Sequence, residues 1–423
     1  MKDTPRLFHG WTIVAAAFTV LFLAYGLQFS YGVFIAGMAG DLGWTRAETA
    51  LPYSIYVFLY SVLSAVTGQA TDRFGPRVVI SVGAVLLGLG WGMSALVQQP
   101  WQLNVTLGLV AAFGMSVAWV PCNATVARWF TRRRGTAVSI ASTGASLGNF
   151  IVPAVVAVFV QAYGWRATLA AFAVGSALAI LAVARFMVRD PESMGLWPDG
   201  DATPPPAATL TGGYRVRELW GHEAFLFINA IYFLTWLVVF VPFVHAPAYA
   251  RDLGLSALEG ASILSAIGIG GVVGRLSSGT VSDRCGRFPT LLVMCGLQAL
   301  GFGLFALAED VAALWFAAIV FGVSYGGGVA LLPPLCGDLF GRAHVASVVG
   351  TIFALAGSPA AVGPYLAGWL YDTTGGYTSA FAVSAGLNVA ALALTAVFAI
   401  RQRAAHRVSP GHPSSPVSTG GPR

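Results

Sequence analysis

Read as a pattern of apolar and polar positions, the chain divides into twelve long apolar runs, near 11–39, 48–70, 77–97, 102–127, 135–161, 166–187, 224–249, 257–280, 288–308, 312–337, 344–370 and 377–400. Short charged or Gly/Pro-rich stretches separate them. An apolar helix of about 20 residues crosses the hydrocarbon core of a bilayer, so each run predicts one membrane-spanning helix. Six runs precede the segment "RDPESMGLWPDGDATPPPAATLTGGYRVRELWGHE" and six follow it. Its Pro, Gly and charge predict a solvated linker. The expected organisation is a six-helix half over 1–187, a linker over 188–222, a second six-helix half over 223–400, and a disordered tail over 401–423.

Composition agrees with this pattern. The chain is 57% hydrophobic and only 9% charged, where a soluble domain is about 25% charged. The first run is too long for a signal-peptide core and has no small-residue cleavage site, so it predicts a retained first helix. Cys122, Cys285, Cys295 and Cys336 show neither metal spacing nor a paired framework, and no metal or cofactor is expected.

The net charge of +6 is a topology signal rather than a nucleic-acid footprint. With the N-terminus placed in the cytoplasm, 19 of the 23 Lys and Arg residues fall in cytoplasmic segments, and Arg46, Arg166 and Arg251 alone fall outside. This asymmetry predicts both termini inside. One cation is left over. Arg275 lies eight residues before Asp283, about 12 Å into the membrane at 1.5 Å per residue. No acidic residue lies at comparable depth, so a permanent ion pair within the protein is not expected. A cation at the midplane is costly unless paired or hydrated, and its natural partner is a bound anion. Arginine offers a planar fork that matches a carboxylate.

The same charged phrase occurs twice. "GQATDRFGPR" carries Gly68, Asp72, Arg73, Gly75 and Arg77; "GTVSDRCGR" carries Gly279, Asp283, Arg284, Gly286 and Arg287. Asp72 and Asp283 are 211 residues apart, half the chain. Both copies join the second span of a half to the third. Gly68 and Gly279 would permit close helix approach, and Gly75 and Gly286 a tight turn. The aspartates sit at helix C-termini, where the dipole does not favour them, so they need arginines or another helix's N-terminus as partners. In the first copy Pro76 intervenes before Arg77.

Twelve spans, a central linker and this phrase in both halves resemble the major facilitator superfamily. The resemblance implies an all-α membrane protein of two pseudo-symmetric six-helix bundles, with the phrase as a conformational latch. "HGWTIVAAAF", "ARWFTRRRGTAVSIASTGASLG", "RDPESMGLWPDG" and "GRLSSGTVSDRCGR" resemble its monocarboxylate and oxalate:formate porter branch, which places a substrate-carboxylate arginine at Arg275. The superfamily lines its cavity with spans 1, 4, 7 and 10. The candidate lining residues there are Tyr25 and Gln28, Trp119 and Asn123, His245, and Tyr325. The chain departs from the branch's proton-coupled animal members, which carry a Lys in span 1 and an Asp where Gly271 stands. It also lacks the span 11 Lys of the oxalate exchangers. A single midplane cation suits a monocarboxylate better than a dicarboxylate. A coupled proton would use His245 or ride on the substrate.

The expected function is a secondary carrier of a small monocarboxylate, lactate- or pyruvate-like or aromatic, working by alternating access as a monomer. The alternatives are an oxalate/formate-type exchanger and an exporter of drugs or metabolites. An enzyme would need clustered nucleophile, base or metal ligands at one depth, and no span offers them. The Ala/Gly/Arg-rich, Lys-poor composition is that of a GC-rich bacterial gene, which makes the plasma membrane the expected location. Cysteines placed in the 188–222 linker and in the tail after Arg401 should be labelled only from the cytoplasmic side; labelling of either from outside in intact cells would overturn this topology.

Overall fold

A computed structural model describes residues 8–44, 46–204 and 212–408. Twelve spans are present. α1 runs His9–Phe29 and, past a break at Ser30, continues as Tyr31–Leu42. α2 is Arg46–Phe74 and α3 is Pro76–Ser94. α4 covers Pro100–Trp129, including a π-helical stretch at Asn104–Ala111. Arg134–Ala184 is a continuous hydrogen-bonded run of 51 residues, but Gly164 adopts φ 77° and turns the chain back. That splits it into α5 (134–163) and α6 (165–184). α7 is Glu223–Asp252, α8 Ala257–Cys285, α9 Arg287–Ala306, α10 Val311–Phe340, α11 Val345–Thr374 and α12 Thr378–Val408.

The outward surfaces of these helices carry Val66, Val82, Leu89, Val158, Leu178, Phe316 and Ile400, all exposed. A continuous apolar belt on helices of this length is the surface of a multi-pass membrane protein. Breaks fall where spans near the centre of the molecule lose helical geometry: Ser30 in α1, Val238–Phe240 ahead of Pro242 in α7, and Ser358–Ala361 with Pro359 in α11. Proline lacks the backbone N–H that would continue the ladder.

Two segments differ from expectation. α12 continues past Arg401 to Val408, where disorder was expected, and Arg401 pairs with Glu223 at 2.5 Å; residues 409–423 lie outside the described residues. The described parts of the linker are held against the bundles by backbone. Asp199 accepts the N–H groups of Thr131 and Arg132, both at 2.9 Å. The Tyr214 N–H donates to the Phe340 carbonyl at 2.9 Å.

Glycines set how closely the helices approach. Within the first half, a Cβ on Gly144 or Gly148 would strike the carbonyls of Phe18 or Phe22, so α5 lies against α1; within the second half, Gly274 and Gly326 do the same for α8 and α10. Gly350 of α11 lies against the Ser64 carbonyl of α2 across the halves, and two further cross-half contacts form a matched pair. Gly68 of α2 faces the Ala346 carbonyl of α11, and Gly279 of α8 faces the Gly135 carbonyl of α5. Adding 211 to 68 and to 135 gives 279 and 346, so the two contacts are one contact repeated by the pseudo-twofold. Gly68→Val would place a methyl-bearing Cβ against an immovable backbone carbonyl. Spin labels at Arg77→Cys and Arg284→Cys, both exposed on this face, should then report a shift to longer distances; an unchanged distribution in folded protein would show that this packing does not hold the halves together.

Candidate functional site

At the face shared by the α2–α3, α4–α5, α8–α9 and α10–α11 turns, the two aspartates of the repeated phrase are partnered across the molecule. Asp72 accepts from the Ser347 N–H at 2.7 Å and from its hydroxyl at 2.5 Å, at the N-terminus of α11. Asp283 accepts from the Thr136 N–H at 2.7 Å and its hydroxyl at 2.7 Å, at the N-terminus of α5. Each half thus uses a carboxylate to cap a helix of the other half, where unsatisfied N–H groups and the dipole favour an anion. Thr136 and Ser347 are themselves 211 residues apart.

Arginines complete the cluster. Arg128 pairs with Asp72 at 2.5 Å and Arg287 with Asp283 at 2.6 Å. Asp338 takes Arg287 at 2.8 Å and also pairs with Arg134. Arg128 and Arg342 exchange backbone contacts across the halves, Nε of Arg128 donating to the Arg342 carbonyl at 3.1 Å and Nη2 of Arg342 to the Arg128 carbonyl at 2.6 Å. Arg342 also pairs with Glu192 of the linker at 2.7 Å. Of the phrase, Gly75 and Gly286 take positive φ (84° and 95°) at the turns. Arg73, Arg77 and Arg284 do not join the cluster: they are exposed, with no ion pair among the described residues, because their helix positions point away from the opposite half. Arg128, Arg134, Asp338, Arg342, Thr136 and Ser347 were not singled out from the sequence as latch residues. The signal was present in the second repeat of the 211-residue offset, since Thr136 and Ser347 begin spans 5 and 11 of the matched halves.

Behind this closed face lies the central cavity, of ≈ 70 Å³, and above it a wider vestibule of ≈ 860 Å³ sharing Gln28, Phe29, Asn149, Phe240 and Phe243. The vestibule reaches Tyr53 and Leu264. Each is 19 residues before its half's latch aspartate, about 28 Å along the helix. The cavity therefore opens toward the face opposite the charged cluster.

Arg275 of α8 sits at the inner end. It is 3% exposed and its Nε has no hydrogen-bond partner. No carboxylate approaches it among the described residues. Its guanidinium carbon lies 5.6 Å from the Tyr325 ring centroid on α10 and 5.9 Å from that of Trp119 on α4. These contacts are favourable for a cation but do not neutralise it. The indole Nε1 of Trp119 is also buried without a partner. Tyr25 meets the Trp119 ring edge-on at 6.0 Å. Gln28 lines the same cavity and donates to the Tyr53 hydroxyl at 3.4 Å.

Two expected lining residues fall elsewhere. Asn123 is fully buried inside the first half, its amide donating to the Trp119 carbonyl at 2.9 Å. It serves the helix backbone beside Pro121 and does not line the cavity. His245 ties α7 to its neighbours, Nδ1 lying 3.2 Å from the Tyr377 hydroxyl and Nε2 2.8 Å from the Pro364 carbonyl. The bend at Pro242 and Pro247 turns it away from the cavity. Walls from α2, α5 and α11, including Tyr60, Ser146 and Phe353, were not foreseen; they lie on apolar or small-residue stretches, where the sequence has little contrast to mark a face.

Comparison with known proteins agrees with this geometry. The family model of the Major Facilitator Superfamily matches residues 17–361. Monocarboxylate transporter 11 of Mus musculus is 30% identical over 384 residues, covering 88% of this chain and 84% of that protein. Monocarboxylate transporter 11 of Homo sapiens is 29% identical over 390 residues, covering 89% and 80%. Among solved structures, the human organic anion transporter MFSD10 superposes with a TM-score of 0.70 at 15% identity, covering 93% of this chain and 100% of that one. The proton:xylose symporter XylE gives 0.71 at 15% identity, covering 92% and 96%. The chain belongs to the Major Facilitator Superfamily, in the branch of the monocarboxylate transporters, and is a membrane transporter rather than an enzyme.

Proposed function

We propose that the protein carries a monocarboxylate anion across the plasma membrane by alternating access, with Arg275 as its carboxylate site. The observation that carries this reading is the unneutralised guanidinium of Arg275 at the blind end of a cavity open to one side. The names of the relatives, monocarboxylate transporters, point the same way. Arg275 belongs to α8 of the second half, and Trp119 beside it belongs to α4 of the first. An anion bound there touches both halves, so its arrival can bias how they sit together. The charged face, rich in arginine, is assigned to the cytoplasm. On that assignment the latch is shut and the cavity faces outward.

Among the described residues no Asp, Glu or His lines either cavity, so a co-transported proton would travel on the substrate. Turnover then requires the Asp72 and Asp283 contacts to break and the face to open. Asp72→Asn keeps the shape but loses the charge that holds Arg128, so transport should slow several-fold while equilibrium substrate binding stays near wild type; loss of binding in folded protein would place Asp72 in the site itself.

Arg275→Ala leaves an incoming carboxylate uncompensated. Loss of a buried partner costs about 3–5 kcal/mol, or roughly 10²–10³-fold in affinity. Arg275→Lys keeps the charge without the fork and should retain a fraction of the activity. The fold should survive, because an unpaired buried cation does not stabilise the bundle. Uptake and binding by monodisperse wild-type and mutant protein decide it: equal affinity for wild type and Arg275→Ala sinks the carboxylate site.

A further inference from the structure

We infer that the carried anion is an aryl monocarboxylate, with one carboxylate head and a planar apolar body, rather than a two- or three-carbon acid or a dicarboxylate. This rests on the carboxylate-carrier reading above and narrows it.

Among the described residues, Arg275 is the sole charged side chain lining either cavity. A second carboxylate would therefore be buried without a counter-charge, at a cost of several kcal/mol in general terms. The Arg275 guanidinium, which lines the inner cavity beside Trp119, supplies a donor fork for one carboxylate head. Around that head the walls are aromatic from both halves. Tyr25, Tyr60 and Trp119 come from the first, and Trp236, Phe243, Tyr325 and Phe353 from the second. They are set edge-to-face against one another, Phe243 to Tyr325 at 5.5 Å and Trp236 to Phe353 at 5.2 Å. This packing fixes the rings and leaves faces and edges for a further ring to complement. The way in is also apolar: Val57, Ile151, Val155, Val244 and Leu264 line the vestibule. A two-carbon acid would reach the cation but leave these walls wet. With its head at the cation, an aryl body would extend from the ≈ 70 Å³ inner cavity past Phe240 and Phe243 into the ≈ 860 Å³ vestibule and displace water there, and the gain scales with the apolar area removed.

The experiment measures equilibrium binding of phenylacetate, acetate, lactate and isophthalate to purified full-length protein in nanodiscs, each with wild type and Arg275→Ala. Phenylacetate should bind wild type at least about tenfold more tightly than acetate or lactate, and isophthalate more weakly than phenylacetate. Phe243→Ala should narrow the phenylacetate-to-acetate ratio. Arg275-dependent binding of acetate or lactate as tight as that of phenylacetate would overturn the aryl assignment and leave the carrier reading standing. Isophthalate binding as well as phenylacetate would overturn the single-anion part. Absence of any Arg275-dependent binding across the panel would overturn both readings.

Discussion

Everything else in the molecule depends on a pair of carboxylates that each cap a helix in the opposite half. Asp72 meets the first N–H groups of α11 and Asp283 those of α5. The glycine contacts, Gly68 against Ala346 and Gly279 against Gly135, bring those helix ends within hydrogen-bonding reach. Neither device works alone. Without the glycines the carboxylates cannot arrive; without the carboxylates the α5 and α11 N-termini would leave backbone donors unmet in the seam between the halves. Because the whole arrangement repeats at a 211-residue offset, the halves are joined at two matched points.

The charge economy of the chain follows from this division. Cations and anions are concentrated at one face, where they neutralise one another across the seam. Among the described residues, Arg275 is left inside the spans with no carboxylate partner. Its partners there are π systems, which attract a cation without satisfying its directional donors. The same molecule thus separates the ion pairs at the seam between its halves from the buried cation that lines its cavity.

Much of this was legible in the sequence, for physical reasons. The spans are visible because the bilayer imposes length and hydrophobicity. Arg275 stands out because charge inside a span is rare. The repeated phrase is visible because its glycines and aspartates are constrained twice. What the sequence hid lies where side chains are chemically alike. Asn123 and Trp119 share a helix face, yet only the indole reaches the cavity, since the Asn123 amide donates to the Trp119 carbonyl of its own helix. His245 was a reasonable lining residue by span but is turned aside by the flanking prolines. Arg73 and Arg284 belong to the written phrase but face solvent, whereas Arg128 and Arg342, which lie outside it, form the cross-half contacts. Spacing along one helix carries no information about which neighbour another helix will present.

The linker has a consequence of its own. Glu192 holds Arg342 in the second half, while Asp199 holds the α4–α5 turn in the first. The two residues are seven positions apart on one short tether, so if the seam parts, as the proposed alternating access requires, their partners are never diluted into bulk solvent. Rebinding is a first-order event at high effective concentration. Reclosure of this face is thus made quick by chain connectivity, independently of how strong any single contact is, and a carrier with this linker severed would have to find its closed state by diffusion of two halves through the lipid.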